Sequence, residues 1–142
     1  WIRPLAAAAA APGAPLPSVL VPRGGAPKRF GLPPLPADEA LGHLAALAAR
    51  RDEILCGPVP LYAKTSFAWI TTERGGEDDP ATAAAKEWEG DFRRPGEAAD
   101  AEHVLVLGGV VPFDGVRADP RFAELARSVW TPLLDAARRW TP

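Results

Sequence analysis

The stretch Pro58-Val-Pro-Leu-Tyr-Ala-Lys-Thr-Ser-Phe-Ala-Trp69 organises the chain, because it joins the longest predicted helix to a cluster of polar side chains. The helix, at residues 35–55, has two carboxylates near its start, and these suit the exposed N–H groups of a first turn. Gly57-Pro58 ends it, since proline cannot continue a helix. We expect the residues that follow to be extended and apolar and to end in Lys64-Thr65-Ser66.

The helix at residues 35–55 carries an apolar arc that we expect to face the core. The members of this arc are Leu41, Leu44, Leu47, Ala48, Ile54 and Leu55. Shorter helices are predicted at residues 1–11, at residues 82–88 with a cap from Asp79, and from Asp119 onward. Pro132 lies inside the last of these and predicts a kink or a restart.

Two strands are predicted as well. Residues 18–21 form a short one, and His103-Val-Leu-Val-Leu107 is a continuous apolar run that is typical of a strand buried on both faces. The acidic, glycine-bearing residues 71–80 predict a loop, as do residues 91–99. This mixture of helices and strands indicates the α+β class.

The composition allows one domain with a modest core, since 47% of the 142 residues are hydrophobic. We therefore expect residues 1–142 to form a single domain. Methionine is absent and the chain begins inside a predicted helix, so we also expect it to be part of a longer polypeptide. The net charge is −2, which gives no overall basic field that would point to nucleic acid.

The sequence offers few residues for metal or redox chemistry. Cys56 is the only cysteine, which excludes an internal disulfide and a cysteine-based zinc site. His43 and His103 lack partners at ligand spacing, so we expect structural or solvated roles for both. No apolar run approaches the roughly 20 residues that span a bilayer. We therefore expect a cytoplasmic setting, no membrane contact, and no catalytic, cofactor or metal site.

Lys64, Thr65 and Ser66 form the most notable polar cluster. One cation and two hydroxyls at the end of a strand would suit phosphate oxygens or a partner protein. The alternative is a turn whose hydroxyls cap the following segment, which is the commoner use of such residues.

Arg93 and Arg94 form a basic pair on a predicted loop. The pair is a candidate for DNA contact, although most such pairs are simply solvated. Tryptophans could stack on bases. We expect core positions instead for Trp69, Trp88 and Trp130, since core packing is the commoner use of such large side chains.

The segment Pro-x-Pro-Leu-x-x-Lys-Thr-Ser-x-Ala-Trp after a helix resembles the C-terminal domain of the exodeoxyribonuclease V gamma chain (RecC) family. Residues 83–90 are similar to the family's short helix before a glycine, and Gly96-Glu-Ala-Ala-Asp100 is similar to its Gly-Glu-x-x-Asp turn. Phe122-Ala-Glu-Leu-Ala with Trp130-Thr-Pro-Leu-Leu134 is similar to its closing helix. The order and spacing of these pieces make the resemblance fairly specific.

The resemblance implies the C-terminal part of a fold related to the PD-(D/E)XK nucleases, whose sites need an Asp and then Glu-x-Lys to hold Mg²⁺. The residues two positions before the three lysines are not acidic: they are Ala26, Tyr62 and Ala84, before Lys28, Lys64 and Lys86. The sequence therefore has no such motif, and we expect no catalysis by this chain. A Walker-type phosphate loop is also absent, because no Gly-Lys dipeptide occurs.

The resemblance further implies a subunit of a helicase–nuclease that unwinds and degrades double-stranded DNA ends in recombinational repair. Its partners would be the helicase–nuclease beta chain, the helicase alpha chain, the DNA ends and the unwound single strands. ATP and Mg²⁺ would belong to the partner chains. Two alternatives stay open: the distal half of an active nuclease domain of the same fold, and a small structural module without a nucleic-acid role.

Overall fold

The computed structural model describes residues 1–12, 17–20, 30–76 and 78–138. Several predicted features lie outside these residues: the end of the first predicted strand at Val21, Lys28, and Glu77 of the predicted acidic loop. The described elements, in chain order, are α1 (Ile2–Ala10), β1 (Ser18–Leu20), β2 (Phe30–Leu32), α2 (Ala37–Cys56), α3 (Ala63–Gly75), α4 (Pro80–Glu89), a 3₁₀ turn (Glu97–Ala99), α5 (Ala101–Leu107), α6 (Phe113–Arg117) and α7 (Arg121–Arg138).

The described part of the chain is mostly helical, with one two-stranded antiparallel sheet in which Ser18 pairs with Leu32 and Leu20 with Phe30. This content is compatible with the predicted α+β class. None of the described helices is long and apolar enough to cross a membrane. The contacts divide the chain into two compact units, so that the single domain over residues 1–142 stays a prediction.

The first unit takes Trp1–Cys56 together with the chain from Pro132 onward. Its core forms where α1 packs on α2, around the buried side chains of Leu5, Leu35 and Ala40. Leu44 and Leu47 of α2 pack against this cluster and are partly buried, as the apolar arc predicts. The rest of that arc is solvent-exposed, which corrects the prediction for Leu41, Ala48, Ile54 and Leu55.

The second unit takes residues 57–131, and aromatic side chains dominate its core. Trp88 of α4 is fully buried, and its ring centroid lies 4.5 Å from that of Tyr62. Its indole N–H donates to the Val111 carbonyl at 2.7 Å, which satisfies the one polar atom of the side chain. Trp69 is partly buried against the same core, with its ring 5.5 Å from Phe122. The core prediction is thus confirmed for Trp88 and in part for Trp69.

Helix α4 begins as the sequence predicts. The Asp79 carboxylate accepts from the backbone N–H groups of Ala81 at 3.2 Å and Thr82 at 3.1 Å, and Pro80 fills the first helical position. A hydrogen bond from the Thr82 hydroxyl and these two backbone bonds lower the pKa of Asp79. A proline needs no N–H partner in the first turn, so this start leaves few donors unpaired.

The predicted strand at residues 103–107 is wrong, because these residues form the helix α5. The Val104 N–H bonds the Asp100 carbonyl at 3.0 Å, and Gly108 ends the helix in the left-handed region with φ 73°. The prediction that residues 103–107 are buried on both faces is also wrong, since Leu105 is 83% exposed. A short apolar run has no periodicity that separates a strand from a helix, and the flanking residues decide here for the helix.

Two further boundaries differ from the prediction. The chain turns helical at Ala63, so that Lys64-Thr65-Ser66 opens α3 and does not end a strand. α3 then continues to Gly75 and takes in the first half of the predicted loop at residues 71–80. At the other end of the chain, α7 contains Pro132 as one uninterrupted helix, so that the predicted restart does not occur.

Candidate functional site

The Lys64-Thr65-Ser66 cluster is bound from a distant part of the chain by the side chain of Glu97. Oε1 accepts from the Lys64 N–H at 3.1 Å, and Oε2 accepts from the N–H of Thr65 at 2.9 Å and from its hydroxyl at 2.8 Å. The first N–H groups of a helix have no partner within it, and Tyr62 at the N-cap of α3 makes no side-chain cap. Glu97 therefore supplies the cap that α3 lacks locally.

The environment of Glu97 explains why a carboxylate is stable there. The residue is only 4% exposed, and an ionised group at such a position is costly unless hydrogen bonds compensate it. Three bonds to its charged oxygens, at the positive end of the helix dipole, provide that compensation. A phosphate could reach the same N–H groups only by displacing Glu97.

Ser66 is also used inside the molecule. Its hydroxyl donates to the Tyr62 carbonyl and accepts from the Trp130 indole N–H, which lies 2.8 Å away. The Trp130 ring packs edge-on against Phe67 with centroids 5.2 Å apart. The interior use predicted for Trp130 is therefore supported, since the ring is partly buried and hydrogen-bonded.

The three residues of the cluster are thus placed differently. Thr65 and Ser66 are fully buried, whereas the Lys64 side chain is exposed on the first turn of α3. Neither hydroxyl caps α3 as the alternative proposes: the Thr65 hydroxyl donates to Glu97, and the Ser66 hydroxyl donates to the Tyr62 carbonyl. Contact with DNA or a partner protein at this cluster stays a prediction, and Lys64 is the residue placed to make it.

The other predicted contact, Arg93-Arg94, lies on a loop that is closed at its base. An antiparallel bridge joins Gly90 to Pro95. A Cβ atom added to Gly90 would lie 2.2 Å from the Gly96 nitrogen, and one added to Gly96 would lie 2.1 Å from the Trp88 carbonyl oxygen. Two glycines are therefore needed for the two ends of the loop to approach each other this closely.

The tip of the loop is held by Asp91. Its backbone exchanges two hydrogen bonds with Arg94, and its carboxylate accepts from the N–H groups of Arg93 at 2.8 Å and Arg94 at 2.9 Å. These bonds to the charged form lower the pKa of Asp91. Arg94 pairs with Glu87 at 2.9 Å, whereas the Arg93 guanidinium lies 5.0 Å over the ring of Phe92.

The two predicted groups are linked by the chain itself, since Glu97 directly follows the loop that carries Arg93 and Arg94. The base of the loop is therefore fixed to the N-terminus of α3 by the Glu97 hydrogen bonds. Phe92 and Glu97 were not among the predicted site residues. A single aromatic in a polar turn between Gly90 and Pro95-Gly96 is the signal for Phe92, and the Gly-Glu-x-x-Asp pattern is the signal for Glu97.

An apolar groove of about 210 Å³ lies elsewhere in the second unit. It is lined mainly by the Pro58-Val-Pro segment, the end of α5 and the residues that follow, among them Leu107 and Val111. Tyr62 also borders it. Burial, and secondarily the carboxylates of Asp119 and Glu97, raise the pKa of the Tyr62 hydroxyl above its ordinary value of 10.0. The groove thus holds a neutral phenol at physiological pH and has mostly aliphatic walls.

The histidines make contacts within the fold. His43 lies 3.7 Å from Glu39 one turn away on α2, and its ring is 5.6 Å from that of Trp1. His103 Nδ1 lies 2.8 Å from the Glu97 carbonyl, an acceptor only, so this nitrogen carries the proton. In the described ranges, no three histidine, cysteine or acidic side chains are grouped so that they could hold a metal ion.

Comparison with known proteins shows to which family the chain is related. The model of the RecC C-terminal domain family matches residues 1–74. The subunit RecC of the RecBCD enzyme from Mycobacterium tuberculosis, in strains CDC 1551 / Oshkosh and H37Rv, is 34% identical over an alignment of 122 residues, and the match covers 77% of this chain. The chain spans 11% of the length of these relatives. Since the family match takes in just over half of the chain and the identity extends beyond it, the chain belongs to the RecC C-terminal domain family.

Proposed function

We propose that the chain acts as a RecC C-terminal domain within a helicase–nuclease complex of the exodeoxyribonuclease V type. The observation that carries this proposal is the 34% identity to a protein whose name is RecBCD enzyme subunit RecC. The complex would unwind and degrade double-stranded DNA ends in recombinational repair. Its other members would be the helicase–nuclease beta chain and the helicase alpha chain, and its location would be the cytoplasm.

Within the complex we assign to this chain a non-catalytic part in subunit assembly and in guiding DNA strands. No lysine of the sequence follows an acidic residue at the Glu-x-Lys spacing. Glu97, a buried acidic residue of the second unit, uses both side-chain oxygens to cap α3 with three hydrogen bonds. ATP and Mg²⁺ would therefore act in the partner chains, and the nuclease-like fold would serve as a scaffold.

Reconstitution tests the proposal. The full RecC polypeptide that carries this sequence is mixed with purified beta and alpha chains, and the assembly is followed by size-exclusion chromatography. ATP-dependent unwinding of linear duplex DNA is then measured. We expect one complex with unwinding activity. Failure to assemble, or equal activity with the 142-residue segment deleted, would refute the assignment.

The non-catalytic part of the proposal has its own assay. The chain alone, incubated with linear DNA and Mg²⁺ or Mn²⁺, should leave the substrate intact. DNA cleavage that disappears on substitution of Glu87 or Glu89, two acidic residues of α4, would instead favour an active nuclease.

A further inference from the structure

Phe92 is the most exposed of the large apolar side chains in the described ranges, at 92% of its surface. It lies at the tip of the loop between Gly90 and Gly96, away from the core of the second unit. Single exposed apolar residues are common on protein surfaces and need no special explanation. The hydrogen bonds within this loop and its distribution of charge are what distinguish Phe92.

The loop is closed by hydrogen bonds between its own residues. The reciprocal backbone bonds between Asp91 and Arg94, at 2.9 and 3.2 Å, close the turn on both sides. The Asp91 carboxylate also accepts from the Arg93 N–H, and it shares the Arg94 N–H with the Asp91 carbonyl. The glycines at the base let the two ends of the loop approach closely. A loop that already has its bound conformation needs less ordering on binding, which is the property of a preorganised anchor.

The charges at the tip favour a protein over a nucleic acid. Arg94 is paired with Glu87, and the Asp91 carboxylate is used by the turn. Arg93 is the one cation of the turn without an acidic partner among the described residues, and it lies over the Phe92 ring. Binding along a phosphate backbone takes several cations, whereas a single arginine beside an exposed ring matches an apolar pocket with a carboxylate at its rim.

We propose that Phe92 and Arg93 form an anchor that inserts into an apolar, acid-rimmed pocket on another subunit of the complex. This inference rests on the proposed function, because the complex supplies the partner. Aromatic residues and arginines dominate the binding energy of protein interfaces, and they do so where a pocket desolvates them fully. The Glu97 hydrogen bonds to α3 keep the base of the loop in place, so that the anchor is held by the fold of the second unit.

The test uses the full RecC polypeptide carrying Phe92→Ala, titrated against purified beta and alpha chains in a sedimentation or fluorescence-anisotropy assay. We expect the dissociation constant to rise at least about tenfold with one of the two partner chains. Leu55→Ala is the matched control, since Leu55 is also a large apolar residue and is 68% exposed. This control should leave the dissociation constant unchanged.

A second variant tests the same anchor without altering Phe92. Arg93→Glu places a negative charge against the acidic rim, so that binding should weaken further as the salt concentration is lowered. Arg51→Glu, on an exposed position of α2, is the control for added negative charge.

The outcomes separate the two proposals. If the unaltered chain assembles and both loop variants bind like their controls, the anchor is wrong and the proposed function stands. If the unaltered chain does not assemble, both are wrong. If assembly is unaffected while the variants lose affinity for a labelled single-stranded oligonucleotide, the loop contacts nucleic acid and the protein anchor is wrong.

Discussion

Glu97 connects two parts of the chain that are more than 30 residues apart. Its side chain accepts three hydrogen bonds from Lys64 and Thr65 while its backbone begins the 3₁₀ turn after the loop at residues 90–96. A local sequence window around Lys64 contains no carboxylate that could cap α3. The sequence around Lys64 therefore does not identify the group that caps α3.

Removal of the Glu97 side chain should destabilise the second unit. Glu97→Ala leaves two backbone donors and one hydroxyl without an acceptor in the interior, so we expect a loss of about 2–4 kcal/mol in the free energy of unfolding. Urea denaturation followed by tryptophan fluorescence measures it. Glu102→Ala is the control, because Glu102 is exposed and should change stability by less than about 0.5 kcal/mol. A similar small loss for Glu97→Ala would contradict the capping role.

Replacing glycine by alanine should change the free energy of unfolding in opposite directions at Gly90, in the loop, and at Gly42, in α2. Gly90 has φ 72°, and an added Cβ would lie 2.2 Å from the Gly96 nitrogen and 2.5 Å from the Arg94 oxygen. We therefore expect Gly90→Ala to cost at least about 2 kcal/mol, because strain and overlap act together.

Gly42 is the matched case for this substitution. It lies inside α2, and nothing is within 4 Å of its added Cβ, so Gly42→Ala should stabilise the chain by about 0.4–1 kcal/mol through a lower chain entropy of the unfolded state. Thermal unfolding followed by circular dichroism compares the two variants. Equal effects at both positions would show that the close approach at Gly90 is not a constraint.

At the level of elements, the helices with clear end signals could be predicted and the short apolar run could not. Helix α4 has Asp79 and Pro80 at its start, and α2 is ended by Gly57-Pro58; both were predicted from these residues. His103–Leu107 has β-branched and apolar residues that suit either element. The structure shows Asp100 at the N-cap of α5 without a side-chain cap, and Gly108 ends the helix in the left-handed region.

The apolar arc predicted on α2 contains more residues than the structure buries. A series of substitutions can measure how much each position contributes to stability. Leu5 of α1 is fully buried, so Leu5→Ala should cost about 2–5 kcal/mol. Leu44→Ala should cost about 1–2 kcal/mol because Leu44 is only partly buried, and Leu41→Ala less than about 0.5 kcal/mol because Leu41 is 55% exposed. Urea denaturation gives the three values. A cost for Leu41→Ala equal to that for Leu5→Ala would show that the wrong face of α2 had been assigned to the core.

For the whole molecule, two compact units each have a core of their own, yet several large apolar side chains remain outside both cores. The most concentrated set follows the 3₁₀ turn: Leu105, Val106 and Val110 are 83%, 57% and 70% exposed, and α5 has no buried residue. These exposed residues in and after α5 are the reason to expect association of the isolated chain.

We therefore expect the isolated 142-residue chain to self-associate through these residues, since exposed apolar side chains lower their free energy by leaving water. Sedimentation velocity over a concentration series should give a weight-average mass that rises above that of the monomer. The double substitution Leu105→Lys with Val110→Lys should restore the monomer. The double substitution Ala45→Lys with Ala49→Lys, at exposed positions of α2, adds the same charge without removing apolar surface, so association should persist. A monomer at all concentrations before any substitution would mean that the apolar residues around α5 do not drive association, and equal behaviour of the two lysine variants would assign the effect to charge alone.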